Sequence, residues 1–115
     1  MKRYRHPLLL LTIVLPLSSA SAATDPQLQS IRALGAVTGI ALRCHYLKQV
    51  QQIKGALITA LPKQRSLGEL FDSETNRGYL SFVESAAPCP GEGQMEERVH
   101  QAITEMEARF VQSAE

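Results

Sequence analysis

Apolar residues recur along this chain at intervals of three and four, the period of an amphipathic helix, and nowhere at the strict alternation of a strand. Four such stretches stand out. The first, from Pro26 to Cys44, is opened by the N-cap oxygens of Thr24 and Asp25 and a proline suited to a first turn. Within it Leu28, Ile31, Leu34, Gly35, Thr38 and Leu42 share one broad face, while Ala36, Val37 and Ile40 spread over the other side. A helix apolar nearly all round has to be covered from more than one direction, so this stretch is expected at the centre of the fold.

The second stretch places Leu47, Val50, Ile53, Leu57, Ile58 and Leu61 inward, with Lys48, Gln49, Gln51, Gln52 and Lys54 outward, and Pro62 stops it. No glycine or proline separates it from the first, so two helices and one kinked rod are both open readings. In the third, Ser66 and Glu69 fit a capping box, and Leu67, Phe71, Thr75, Gly78, Phe82 and Ala86 form a stripe that Asn76-Arg77-Gly78 weakens toward a local bend. Pro88-Cys89-Pro90-Gly91-Glu92-Gly93 makes a turn. The fourth carries Met95, Val99, Ala102, Ile103, Met106 and Phe110 on one side and Glu96, Glu97, Arg98, Glu105 and Arg109 on the other. The fold class this predicts is all-α, a compact bundle of about four helices.

Gly35 and Gly39 form a packing notch one helical turn apart, where a neighbouring helix can approach closely although each glycine costs about 1 kcal/mol against alanine. An internal seam is the preferred reading, and a homodimer through the same notch is the alternative. Leu80 lies away from the Phe71/Phe82 stripe with Val83 beside it. Together with Val37 and Ile40 on the back of the first helix, it forms the candidate partner surface.

The chain opens with Lys2, Arg3 and Arg5, continues through the apolar run Leu8 to Leu17 and reaches Ala20-Ser21-Ala22, the pattern of a cleaved export signal. Residues 1–22 are therefore set aside as a signal peptide and residues 23–115 read as a single helical domain in the periplasm. An uncleaved anchor is the weaker alternative, because the run is about half the roughly 20 residues a membrane span needs; after cleavage no membrane span is expected. Three of the twelve basic residues leave with the signal while all eleven acidic ones stay, so the net charge moves from +1 to −2. With no basic cluster beyond Lys63-Gln64-Arg65, nucleic-acid binding has little support.

Export places Cys44 and Cys89, the two cysteines, where a disulfide persists. It would close roughly 45 residues and contribute about 4 kcal/mol in the chain-entropy model, a large share for so small a core. Free reactive thiols are the lesser alternative.

Chemistry is sparse. Cys44 and His45 are neighbours whose side chains diverge by about 100° on a helix, and neither His45 nor His100 stands in an HExxH, CxxC or CxxCH spacing. Glu96 and Glu97 complement a helix dipole, and no phosphate or dinucleotide glycine pattern occurs. No cofactor, no metal and no catalytic residue is expected, and the chain is read as not an enzyme.

Leu34-Gly35, Gly39, Ala41, Cys44, Pro62-Lys63, Gly68, Phe71, Thr75, Phe82 and Cys89-Pro90 together resemble a set of uncharacterised small exported proteins of proteobacteria. That resemblance implies no activity and carries over no site residue. In mature length, helical content and one disulfide closing about 45 residues, the layout is also similar to the periplasmic acid-stress chaperones of HdeA type. The leading expectation is a periplasmic accessory module that binds another protein. An acid-stress holdase comes second, and an immunity or inhibitor protein against a secreted toxin third.

Overall fold

The computed structural model describes residue 13 and residues 22–111, so the expected signal peptide lies almost wholly outside the described residues. The described part is an all-α bundle of four helices with one disulfide: α1 (Asp25–Arg43), α2 (Leu47–Ala60), α3 (Arg65–Ser85) and α4 (Glu92–Val111). Among the described residues there is no strand.

The cap of α1 also fastens it to α4. Thr24 Oγ1 accepts from the Gln27 backbone N–H at 3.3 Å, and Gln27 Oε1 accepts in return from the Thr24 N–H at 2.8 Å, a capping box. The amide nitrogen of the same Gln27 donates to the Arg109 carbonyl at 3.1 Å, so the start of α1 meets the last turn of α4 and the two run antiparallel. A cap of this kind is worth about 1 kcal/mol.

At the other end, α1 and α2 are separate helices. His45 takes the left-handed conformation, φ 62°, and the Tyr46 N–H reaches back to the Ala41 carbonyl at 2.8 Å, closing α1 as a glycine would. The sequence signal for the break was missing because histidine fills the position that glycine usually holds.

α1 is the hub. Among the described helices it lies alongside α2, α3 and α4, α2 and α4 also meet, and α3 runs alongside α1 alone. Ile31, Leu34 and Ala41 are fully buried, together with Ile53 from α2 and Met95, Val99 and Met106 from α4, while Leu67 and Phe71 bring the first half of α3 into the same core. Each fully buried Leu, Ile or Met contributes about 1.5–3 kcal/mol against exposure. The buried hydroxyls within α1 stay on their own helix: Ser30 donates to the Gln27 carbonyl at 2.7 Å and Thr38 to that of Leu34 at 2.7 Å.

Three local expectations are corrected. Ser66 and Glu69 form no capping box, because α3 starts at Arg65 with Gln64 at the N-cap, two residues ahead of the position Ser66 would cap; Glu69 instead lies 3.6 Å from the Arg65 guanidinium. α3 continues unbroken through Asn76-Arg77-Gly78, where close packing on α1 offsets weak propensity. In α2 the inward stripe is rotated: Gln49 is buried, while Leu47 and Ile58 are exposed. Among the described helices, α1 and α4 cover that helix, and the stripe they cover runs through Gln49, Val50, Ile53, Ala56 and Leu57.

Candidate interaction surface

The seam between α1 and α3 decides which face of α3 remains free. Gly35 lies against Phe71, Glu74 and Thr75, Gly39 against Thr75, Gly78 and Tyr79, and Gly78 against Ala36. Contacts that advance together along both chains mean that the two helices are parallel. A Cβ at Gly39 would sit 2.4 Å from the Tyr79 nitrogen and 2.6 Å from the Thr75 carbonyl oxygen, and one at Gly78 would sit 2.8 Å from the Ala36 carbonyl oxygen. The backbones therefore touch directly at this crossing. Arg32 and Glu74 flank the seam at 4.0 Å, and the Thr75 hydroxyl is buried in it without a hydrogen-bond partner.

At 100° per residue, Leu80 is about 180° round α3 from Phe71, diametrically opposite the seam. It is 51% exposed, with Val83 at 44% and Tyr79 at 37% on the same helix. Leu80 stands in a shallow groove of about 410 Å³ with Ser73, Asn76, Ser81 and the opposed charges Arg77 and Glu84. Val83 borders a second depression, about 240 Å³, with Arg43, Phe82, Ala86 and Cys89, which links this face to the disulfide end.

That end is firmly held. Cys44 and Cys89 are bonded, with Cα atoms 5.7 Å apart, and they tie the α1–α2 junction to the α3–α4 turn. The Tyr46 hydroxyl donates to the Pro90 carbonyl across the same two segments. α3 is thus fixed at its seam and near its C-terminal end, while its outer face stays open.

The four residues of the expected partner surface have different settings. Leu80 and Val83 are on the exposed side of α3, whereas Val37 and Ile40 are half-buried against the core. Van der Waals packing has drawn the back of α1 into the interior margin. Residues that sequence reasoning placed inward and the structure exposes are Leu47, Ile58, which is 81% exposed, and Ala86, which caps the end of α3. A signal for Ile58 was present: Leu57 and Ile58 are adjacent, and one face of a helix takes only one of two neighbours.

His45 and His100 are exposed on different segments, and among the described residues no group of three or more His, Cys, Asp or Glu is placed to hold a metal. No helix among the described residues is long and apolar enough to cross a membrane. Comparison with known proteins brings out no matching family model, no matching curated protein and no matching solved structure.

Proposed function

We propose that the chain is an exported, non-catalytic accessory module that acts in the periplasm by docking on another protein through the outer face of α3. The observation that carries this reading is the placement of Leu80: half exposed, opposite the seam with α1, which among the described helices is the one α3 packs against, and flanked by Arg77 and Glu84. An apolar anchor within a polar rim that carries one charge of each sign is the arrangement by which a small contact gains both affinity and register.

Export is supported by the Cys44–Cys89 bond, which is compatible with an oxidising compartment. The non-catalytic part is supported by where hydroxyls are employed. Ser30, Thr38, Thr59 and Ser85 each donate to a carbonyl of their own helix, which leaves them structural rather than poised beside a base.

Site-specific photo-crosslinking in the periplasm tests the reading. A crosslinking side chain at Leu80 is expected to capture one discrete adduct, while the same side chain at exposed Gln101 on α4 captures none. An adduct of twice the chain's mass identifies the partner as a second copy, the homodimer alternative. Equal adducts at both positions, or none at either, contradict the assignment of the surface.

A further inference from the structure

α2 and α3 follow one another in sequence, yet they do not lie alongside each other. Between the end of one and the start of the other opens a groove of about 410 Å³. Its walls are apolar: Leu57, Leu61 and Leu67, with Ile58, 81% exposed, as the outer lip. Gly68 contributes open space, since a Cβ there would meet nothing within 4 Å. The two charged side chains that line the groove, Lys63 and Arg65, are both cations. The groove at Leu80 is different in kind, being lined by serines, Asn76 and charges of both signs, and the depression at Val83 is smaller, about 240 Å³, with Arg43 as its one charged residue.

Charge along the chain sharpens the contrast. From Pro26 to Gly68 there is no Asp or Glu, while Arg32, Arg43, Lys48, Lys54, Lys63 and Arg65 all fall in that interval. Ten of the eleven acidic residues come at Glu69 or later. Arg65 has Glu69 at 3.6 Å in a pair open to solvent, a contact that competes weakly with a ligand, and Lys63 has no carboxylate partner among the described residues. An apolar trough whose charged rim has one sign is complementary to a molecule with an apolar tail and an anionic head.

We propose that this groove binds a single-chain anionic amphiphile. Its acyl chain lies along Leu57, Leu61 and Leu67 under Ile58, and its head group sits at Lys63 and Arg65. The volume is in the range of small-molecule sites and suits one chain. Each methylene lodged against the leucines deepens affinity roughly three- to fourfold, and the head group makes binding weaken as salt rises. The site is independent of the Leu80 face, so either stands if the other fails.

Titration of the purified protein with lysophosphatidylglycerol, kept below its micelle concentration and followed by calorimetry, tests the proposal. The expected result is saturable one-to-one binding, about tenfold tighter for a myristoyl than for a lauroyl chain. Lysophosphatidylcholine of the same length is expected to bind several-fold more weakly. Lys63→Gln with Arg65→Gln should remove that head-group preference and leave lysophosphatidylcholine affinity unchanged, while Ile58→Ser should weaken both ligands several-fold. All three substitutions are on exposed side chains, and an unchanged melting temperature confirms the fold of each variant. Absence of saturable binding, equal affinity for the two head groups, no effect of the variants, or binding to phosphatidylglycerol vesicles but not to the monomeric lysolipid would each overturn the proposal.

Discussion

Replacing Gly39 by alanine adds one methyl group at the tightest point of the α1–α3 seam. The new Cβ would lie 2.4 Å from the Tyr79 nitrogen, 2.6 Å from the Thr75 carbonyl oxygen and 2.7 Å from the Gly78 carbonyl carbon. All three are backbone atoms of a helix, which no rotamer change can move. Ordinary contact begins near 3.4 Å, so the helices must part by about 1 Å at this crossing. A gap of that size forfeits a quarter to a half of the dispersion energy along the seam, and overpacking of this kind costs about 1–3 kcal/mol. Because the obstructing atoms are rigid, we take about 3 kcal/mol, offset by about 1 kcal/mol of improved helix propensity. The net loss of about 2 kcal/mol lowers the melting temperature by roughly 8–16 °C for a domain of this size. Gly55→Ala is the control, since a Cβ there meets nothing within 4 Å, and it should raise the melting temperature by several degrees through propensity alone. Circular dichroism melts of the two variants beside the parent decide the matter. A Gly39→Ala protein that melts at or above the parent would refute the close seam and, with it, the orientation of α3.

Other consequences follow from single positions. Ala86 ends α3 with φ 53°, in the left-handed region that glycine enters without penalty, so Ala86→Gly is expected to stabilise by about 0.5–1 kcal/mol in urea titration. The buried Thr75 hydroxyl has no partner, and Thr75→Val, which keeps the shape and removes the polar atom, should raise stability by about 1 kcal/mol. Acid should not turn the chain into a holdase. The Cys44–Cys89 bond restrains the helix ends and aromatic residues are only 5% of the sequence, so light scattering of an acid-denatured client near pH 2–3 is expected to be the same with and without the protein. Strong suppression at stoichiometric amounts would favour the chaperone reading.

The parts of this fold that were legible before any coordinates were those written in period and in breakers. The core stripe of α4, from Met95 to Phe110, emerges as read because each member repeats at three or four and nothing competes for the face. The central place of α1 was legible too, because a helix apolar on both sides has to be surrounded. What could not be read was relational. The turn at His45 depends on a residue type that rarely signals a turn, and the rotated stripe of α2 depends on which neighbours cover it. The same holds for the surface: Leu80 escapes the pattern of its own helix and was visible, whereas the groove at Leu57, Leu61 and Leu67 arises because α2 and α3 diverge after Pro62. Periodicity describes one helix at a time, and a groove belongs to two.

The claim that the outer face of α3 is a docking surface rather than solvated helix is tested most directly by measuring fold and partner capture in one variant. Leu80→Glu with Val83→Glu changes two exposed side chains outside the buried core, so the melting temperature should stay within a few degrees of the parent. The same protein, with a crosslinking side chain placed at neighbouring exposed Arg77, should lose the adduct that the otherwise unaltered chain forms from that position. Loss of the adduct with the fold intact is the result the account predicts; an adduct that persists undiminished in the folded double variant would contradict it.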